Sequence, residues 1–152
     1  MVSGLKLFDL NGKTALITGS SQGIGHALAK GLADAGSDII LNGRNTEKLK
    51  QSAEAINTKQ NIFQLCFDVT NYEQTKRSID KFEKDIKPID ILINNAGMQF
   101  RTPLEDFPPE MFEQLLKTNI SSVFNVSQVV AKYMIKRGEG KIINIASVQT
   151  SL

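Results

Sequence analysis

Five short apolar runs alternate with four stretches of helical pattern along this chain, and that alternation constrains the fold more than any other feature. The runs are KTALIT (13–18), DIILN (38–42), IFQLCFDV (62–69), DILIN (90–94) and KIINIAS (141–147). The spacing between them predicts helices over 23–36, near 46–57, over 71–84, and from Pro108-Pro109 to about Arg137. Gly36 and Gly138 are the expected stops of the first and last helices, and a proline pair suits a helix start, where a missing N–H costs little. Ile79, Phe82 and Ile86 are expected on the buried face of the third helix. Strands that are apolar throughout must be covered on both faces, and strands separated by helices pair in parallel. Right-handed crossovers then give an α/β, doubly wound parallel sheet whose strand tips share one edge, where a ligand crevice forms.

The loop TGSSQGIG (18–25) lies at that edge, between the first strand and the first helix. Gly19, Gly23 and Gly25 supply a tight turn, close backbone approach and helix–strand packing. The helix start, with Ser21, Gln22 and Ile24 in the same turn, offers free N–H groups and a positive dipole end to a pyrophosphate.

The rest of the chain excludes several other classes. Its 152 residues, 41% of them hydrophobic, are enough for one core. The 18 basic and 16 acidic residues are dispersed, with a net charge of +2 and no basic block, so no nucleic-acid partner is expected. No apolar run is long enough to span a bilayer, and the N-terminus MVSGLKLFDLNGK lacks the apolar stretch of a signal peptide, so no membrane partner is expected. One cysteine allows no intrachain disulfide, which fits a cytoplasmic location; Cys66, inside an apolar strand, is expected to be a buried thiol. His26 lacks companions for a metal site and is expected at the surface, so no metal is expected either.

The T-G-x-x-x-G-x-G turn, FDVT (67–70), NNAG (94–97), KTNISSVF (117–124) and IINIAS (142–147) together resemble the short-chain dehydrogenase/reductase family, in order and over essentially all 152 residues. The resemblance implies a Rossmann fold, an NAD(P)-dependent interconversion of a ketone and a secondary alcohol, and a role for each motif. It places Asp68 beside the adenine, counts Val69 among the cofactor-binding residues, puts the Asn95-Ala96-Gly97 backbone near the cofactor, and has Asn94 brace the sheet. It makes Ser147 the group that polarises the substrate carbonyl and Asn119 a catalytic residue that helps hold a water of the proton relay.

An NAD enzyme of this type usually ends its second strand in a carboxylate that accepts the ribose hydroxyls and repels a 2′-phosphate. Here the strand ends in Gly43-Arg44-Asn45, and Asp38 is at its wrong end. Arg44 offers a planar, multidentate donor, so the expected cofactor is NADP rather than NAD, although Gln22 stands where many NADP-preferring relatives have Lys or Arg.

In the family a Tyr-x-x-x-Lys pair after the Ser moves the proton, the Lys lowering a Tyr pKa that is otherwise about 10. Tyr72 and Lys76 have that spacing but precede Ser147 and lie on the adenine side of the sheet, and Tyr133 is followed by Arg137. Residues 1–152 are therefore expected to form an incomplete dinucleotide-binding Rossmann domain, C-terminally truncated to about five strands and lacking the catalytic and substrate-lid part. Alone the chain is expected to be inactive. The segments NNAGMQFRTPLEDFP and INIASVQTSL resemble the gluconate 5-dehydrogenase branch, which implies a sugar-acid substrate with Arg101 toward its carboxylate and Gln149 toward its hydroxyls. Alternatives are a 3-oxoacyl-thioester or other carbonyl reductase of the same family, and a non-catalytic dinucleotide-binding fragment. The complete protein is expected to be a homo-oligomer, with Val123, Val126 and Val130 hinting at an apolar outer face on the long helix.

Overall fold

A computed structural model describes residues 4–147. Strands β1 (Thr14–Ile17), β2 (Asp38–Gly43), β3 (Ile62–Cys66), β4 (Ile91–Asn94) and β5 (Lys141–Asn144) form one sheet in the order β3-β2-β1-β4-β5. Every pairing is parallel, with Leu16 opposite both Ile40 and Leu92 at the centre. The strand order reverses between β1 and β4, which puts a switch point at the C-terminal tips of these two strands.

Helices α1 (Gly23–Asp34) and α2 (Thr46–Ala55) cover one face; α3 (Tyr72–Asp85) and α5 (Ser122–Arg137) cover the other. Alternation along each strand sends Ala15, Ile17, Ile39 and Leu41 toward α1 and α2, and Leu16, Ile40 and Leu92 toward α3 and α5. Each such Leu or Ile, fully buried, contributes about 1.5–3 kcal/mol of transfer free energy. Asn45 and Asn71 start α2 and α3 by accepting from the N–H groups of Lys48 and Gln74. Gly138, at φ 75°, stops α5 in the left-handed conformation that costs glycine least.

Several expectations are corrected. The long helix is two: α4 (Pro109–Leu116) and α5 are separated by a π-helical turn at Lys117–Ser121, in which Ser122 Oγ donates to the Thr118 carbonyl. Val126 and Val130 face the core; the exposed apolar positions are Phe112, Leu116, Ile120, Phe124 and Ile135. Ile86 is exposed because it lies past the end of α3, while Ile79 and Phe82 are buried, Phe82 edge-on to Phe63 at 5.1 Å. β3 ends at Cys66, and the thiol is exposed rather than buried. β3 is an edge strand that packs Phe63 and Leu65 against the α3 side and leaves Gln64 and Cys66 exposed on the α2 side, where Thr46 Oγ1 donates to Cys66 Sγ at 3.4 Å. His26 is half-buried, not at the surface, its Nδ1 2.7 Å from Ser52 Oγ.

At the sheet edge remote from the switch point, Asp38 opens β2 in an ion pair with Lys87 and accepts from the Asn61 backbone N–H at 2.8 Å. Burial pushes its carboxyl pKa up, but the Lys87 and Asn61 hydrogen bonds outweigh that and hold it below the usual value. Asp38 is thus a structural clamp at the N-terminal end of its strand, with no access to a ligand at the tips. Among the described residues no helix is long and apolar enough to cross a membrane, and no group of three or more His, Cys, Asp and Glu is placed to hold a metal ion.

Candidate functional site

The parallel strands end together, and the loops leaving their tips enclose a cleft of about 470 Å³. Its walls include all twelve residues expected at a cofactor: Gly19, Ser21, Gln22, Gly23, Ile24 and Gly25 from the first loop, Arg44 beyond β2, Asp68 and Val69 beyond β3, and Asn95, Ala96 and Gly97 beyond β4.

The glycines are there for separate reasons. Gly19 adopts φ +63°, and a Cβ on it would lie 2.9 Å from Ala96 Cα. At Gly25 the conformation is ordinary but space is absent: a Cβ would be 2.5 Å from both Asn95 Nδ2 and the Gly19 carbonyl oxygen. α1 begins at Gly23 after Gln22, which makes no side-chain cap, so its first N–H groups face the cleft without a side-chain acceptor. An uncapped helix start behind a glycine turn fits a dinucleotide pyrophosphate.

Residues absent from the sequence reading hold this loop in place. Thr18 Oγ1 accepts from the N–H groups of Asn95 and Ala96 at 2.9 and 3.0 Å. Asn95 returns its Nδ2 to the carbonyls of Thr18 and Gly19. Asn42, 1% exposed, donates from Nδ2 to the Leu65 and Phe67 carbonyls, both at 3.1 Å, while its Oδ1 accepts from the Gly19 N–H at 3.3 Å. Ser20 Oγ donates to the Ile17 carbonyl and accepts from Asn42 N–H. The available signal was a polar residue ending an otherwise apolar strand, at Thr18 and again at Asn42. Such residues close strand tips whose backbone groups have lost their ladder partners.

Asn94 braces the sheet, its Nδ2 donating to Ser127 Oγ at 2.9 Å and Asn144 Oδ1 at 2.8 Å, which ties β4 to α5 and β5. Asn119 lies in the π-helical turn, and its amide engages Met98 twice, accepting from the N–H and donating to the carbonyl at 2.9 Å each. This clasp fixes the loop after β4, and Thr118 lines the cleft beside it. Ser147 is exposed three residues beyond Asn144, on the edge where β4 opens into Asn95–Gly97. Arg101 is exposed, and the Gln99 carboxamide oxygen, in the orientation that satisfies both groups, accepts from its Nη2 and Nε at 3.0 and 3.2 Å. Gln149 lies outside the described residues.

Neither tyrosine belongs to the cleft. Tyr72 donates to Gln128 Oε1, and Lys76 is paired with Asp80 rather than with that hydroxyl. Tyr133 donates to Asp80 Oδ1 at 2.7 Å; burial, then the Asp80 hydrogen bond and charge, push its pKa up to about 12. Among the described residues, Asn119 and Ser147 therefore stand without a tyrosine able to move a proton at the site.

The short chain dehydrogenase family model matches residues 13–152. The chain is 49% identical over 149 residues to the gluconate 5-dehydrogenase of Gluconobacter oxydans, covering 96% of this chain and 57% of that protein. It is 42% identical over 148 residues to the 5-keto-D-gluconate 5-reductase of Escherichia coli K12, covering 96% and 58%. A gluconate 5-dehydrogenase of Burkholderia cenocepacia, solved in complex with NADP and tartrate, superposes with a TM-score of 0.88 at 46% identity, over 95% of this chain and 57% of that one. The chain thus spans little more than half the length of these relatives.

Proposed function

We propose, from the premise that this chain belongs to the short chain dehydrogenase family, that it is the cofactor-binding part of an NADP-linked oxidoreductase acting on a sugar acid of the gluconate/5-keto-gluconate type. The observation that carries the reading is the cleft: an uncapped helix start, a glycine turn closed to any Cβ at Gly25, and Arg44 at the tip of β2. The sugar-acid relatives named above support the substrate class.

NADP, when bound, supplies or accepts the hydride. The protein's part begins with the α1 N-terminus, which neutralises pyrophosphate charge. Arg44 would meet a 2′-phosphate with a planar donor fork, and Asp68, with Val69 beside it in the cleft wall, would border the adenine. Ser147 donates a hydrogen bond to the carbonyl oxygen as negative charge develops there, and Asn119 keeps the loop after β4 in register through Met98. Arg101 would attract the carboxylate of the sugar acid and Gln149 its hydroxyls.

NADPH-dependent reduction of 5-keto-gluconate by the protein as the cell makes it tests the assignment. Ser147→Ala is expected to lower turnover about a hundredfold, the size of one lost oxyanion donor, with NADPH affinity unchanged. Unchanged turnover would remove Ser147 from the mechanism, and faster reduction of a 3-oxoacyl thioester would move the substrate to that class.

A further inference from the structure

The sequence places no carboxylate at the tip of β2, yet the fold brings one there from the neighbouring strand. The β2–β3 register pairs Gly43 with Cys66, so Arg44 and Asp68 leave adjacent strand tips side by side. Arg44 Nη1 lies 4.0 Å from Asp68 Oδ2. The carboxylate is fixed by other bonds: its Oδ1 accepts from Thr70 N–H at 2.9 Å and Thr70 Oγ1 at 2.8 Å. The guanidinium is not, since its side chain is 79% exposed and 4.0 Å is beyond hydrogen-bonding reach. Asp68 therefore acts on Arg44 through charge rather than by orienting it.

We infer that Asp68 is a specificity-determining residue that restrains Arg44's preference for a 2′-phosphate and so keeps NAD within reach of the site. The inference rests on the NADP reading above and deepens it. A phosphate approaching Arg44 meets a guanidinium whose field Asp68 partly offsets and a fixed negative charge at its side, whereas a ribose hydroxyl carries no net charge and feels both far less. Asp68 also borders the adenine, but that contact is common to both cofactors and cancels when they are compared.

Adenosine 2′,5′-bisphosphate and 5′-AMP differ only in the 2′-phosphate, and the ratio of their affinities isolates it. At low ionic strength Asp68→Asn, which is isosteric and keeps an oxygen for Thr70, is expected to raise the ratio in favour of the bisphosphate by about three- to tenfold, the effect of removing one nearby unit charge. Asp68→Ser should move it the same way. In an Arg44→Gln background the Asp68→Asn step should shrink. A ratio that stays constant or falls in both Asp68 variants overturns the inference, as does a step of equal size with and without Arg44. If the unmodified chain binds neither nucleotide, the NADP reading itself fails, and the inference with it.

Discussion

Gly25→Ala is expected to destabilise the chain by about 3 kcal/mol and to weaken dinucleotide binding more than tenfold. Overpacking of a single methyl typically costs about 1–3 kcal/mol when neighbours can yield. Here they cannot. The added carbon would meet the Gly19 carbonyl oxygen at 2.5 Å and Ser20 Cα at 2.8 Å, both backbone, besides Asn95 Nδ2 at 2.5 Å. Relief would require α1 to move away from the strand tips, which opens the turn proposed to hold the pyrophosphate. Gly31→Ala is the control: the same helix, nothing beyond its own helical backbone within 4 Å of the new carbon, and an expected gain of about 0.5–1 kcal/mol. Urea unfolding of both variants measures the contrast. Equal stabilities would show that the tight packing at Gly25 has no energetic weight.

Asn42→Ala is expected to cost about 3–5 kcal/mol, because one side chain satisfies three backbone groups in a buried position. Each backbone group left without a partner costs about 1–3 kcal/mol. Two carbonyls leaving β3 and the Gly19 N–H would lose their ties together. Asn42→Asp separates the contributions: it keeps the acceptor for Gly19, loses both donors, and faces two carbonyl oxygens with a charge. It should be no more stable than the alanine variant. A loss below about 1 kcal/mol for Asn42→Ala would mean the strand carbonyls find other partners.

Local pattern was enough for the sheet, because strands buried on both faces show as apolar runs and the glycine stops interrupt them without ambiguity. The glycine turn and Arg44 were legible from their place at the ends of those runs, whereas Asp68, Val69 and Asn95–Gly97 came from the family resemblance. What escaped was tertiary. Nothing in the apolarity of IFQLCFDV says that its strand is at the sheet edge, so Cys66 was expected to be buried and is exposed. The interruption at Lys117–Ser121 carries Asn119, whose bonds to Met98 reach 21 residues back in the chain, a contact that no helical period encodes. Val126 and Val130, four residues apart, lie on the buried stripe of α5 rather than on an outer face. Arg44 and Asp68 are 24 positions apart, and only the β2–β3 register makes them neighbours.

Whether the strand-tip cleft takes NADP is read by calorimetric titration of this chain with NADPH and with NADH. One saturable site is expected for each, with NADPH bound more tightly and the difference lost in Arg44→Gln. Tighter binding of NADH, or no saturable binding of either nucleotide by the folded chain, would contradict the NADP assignment.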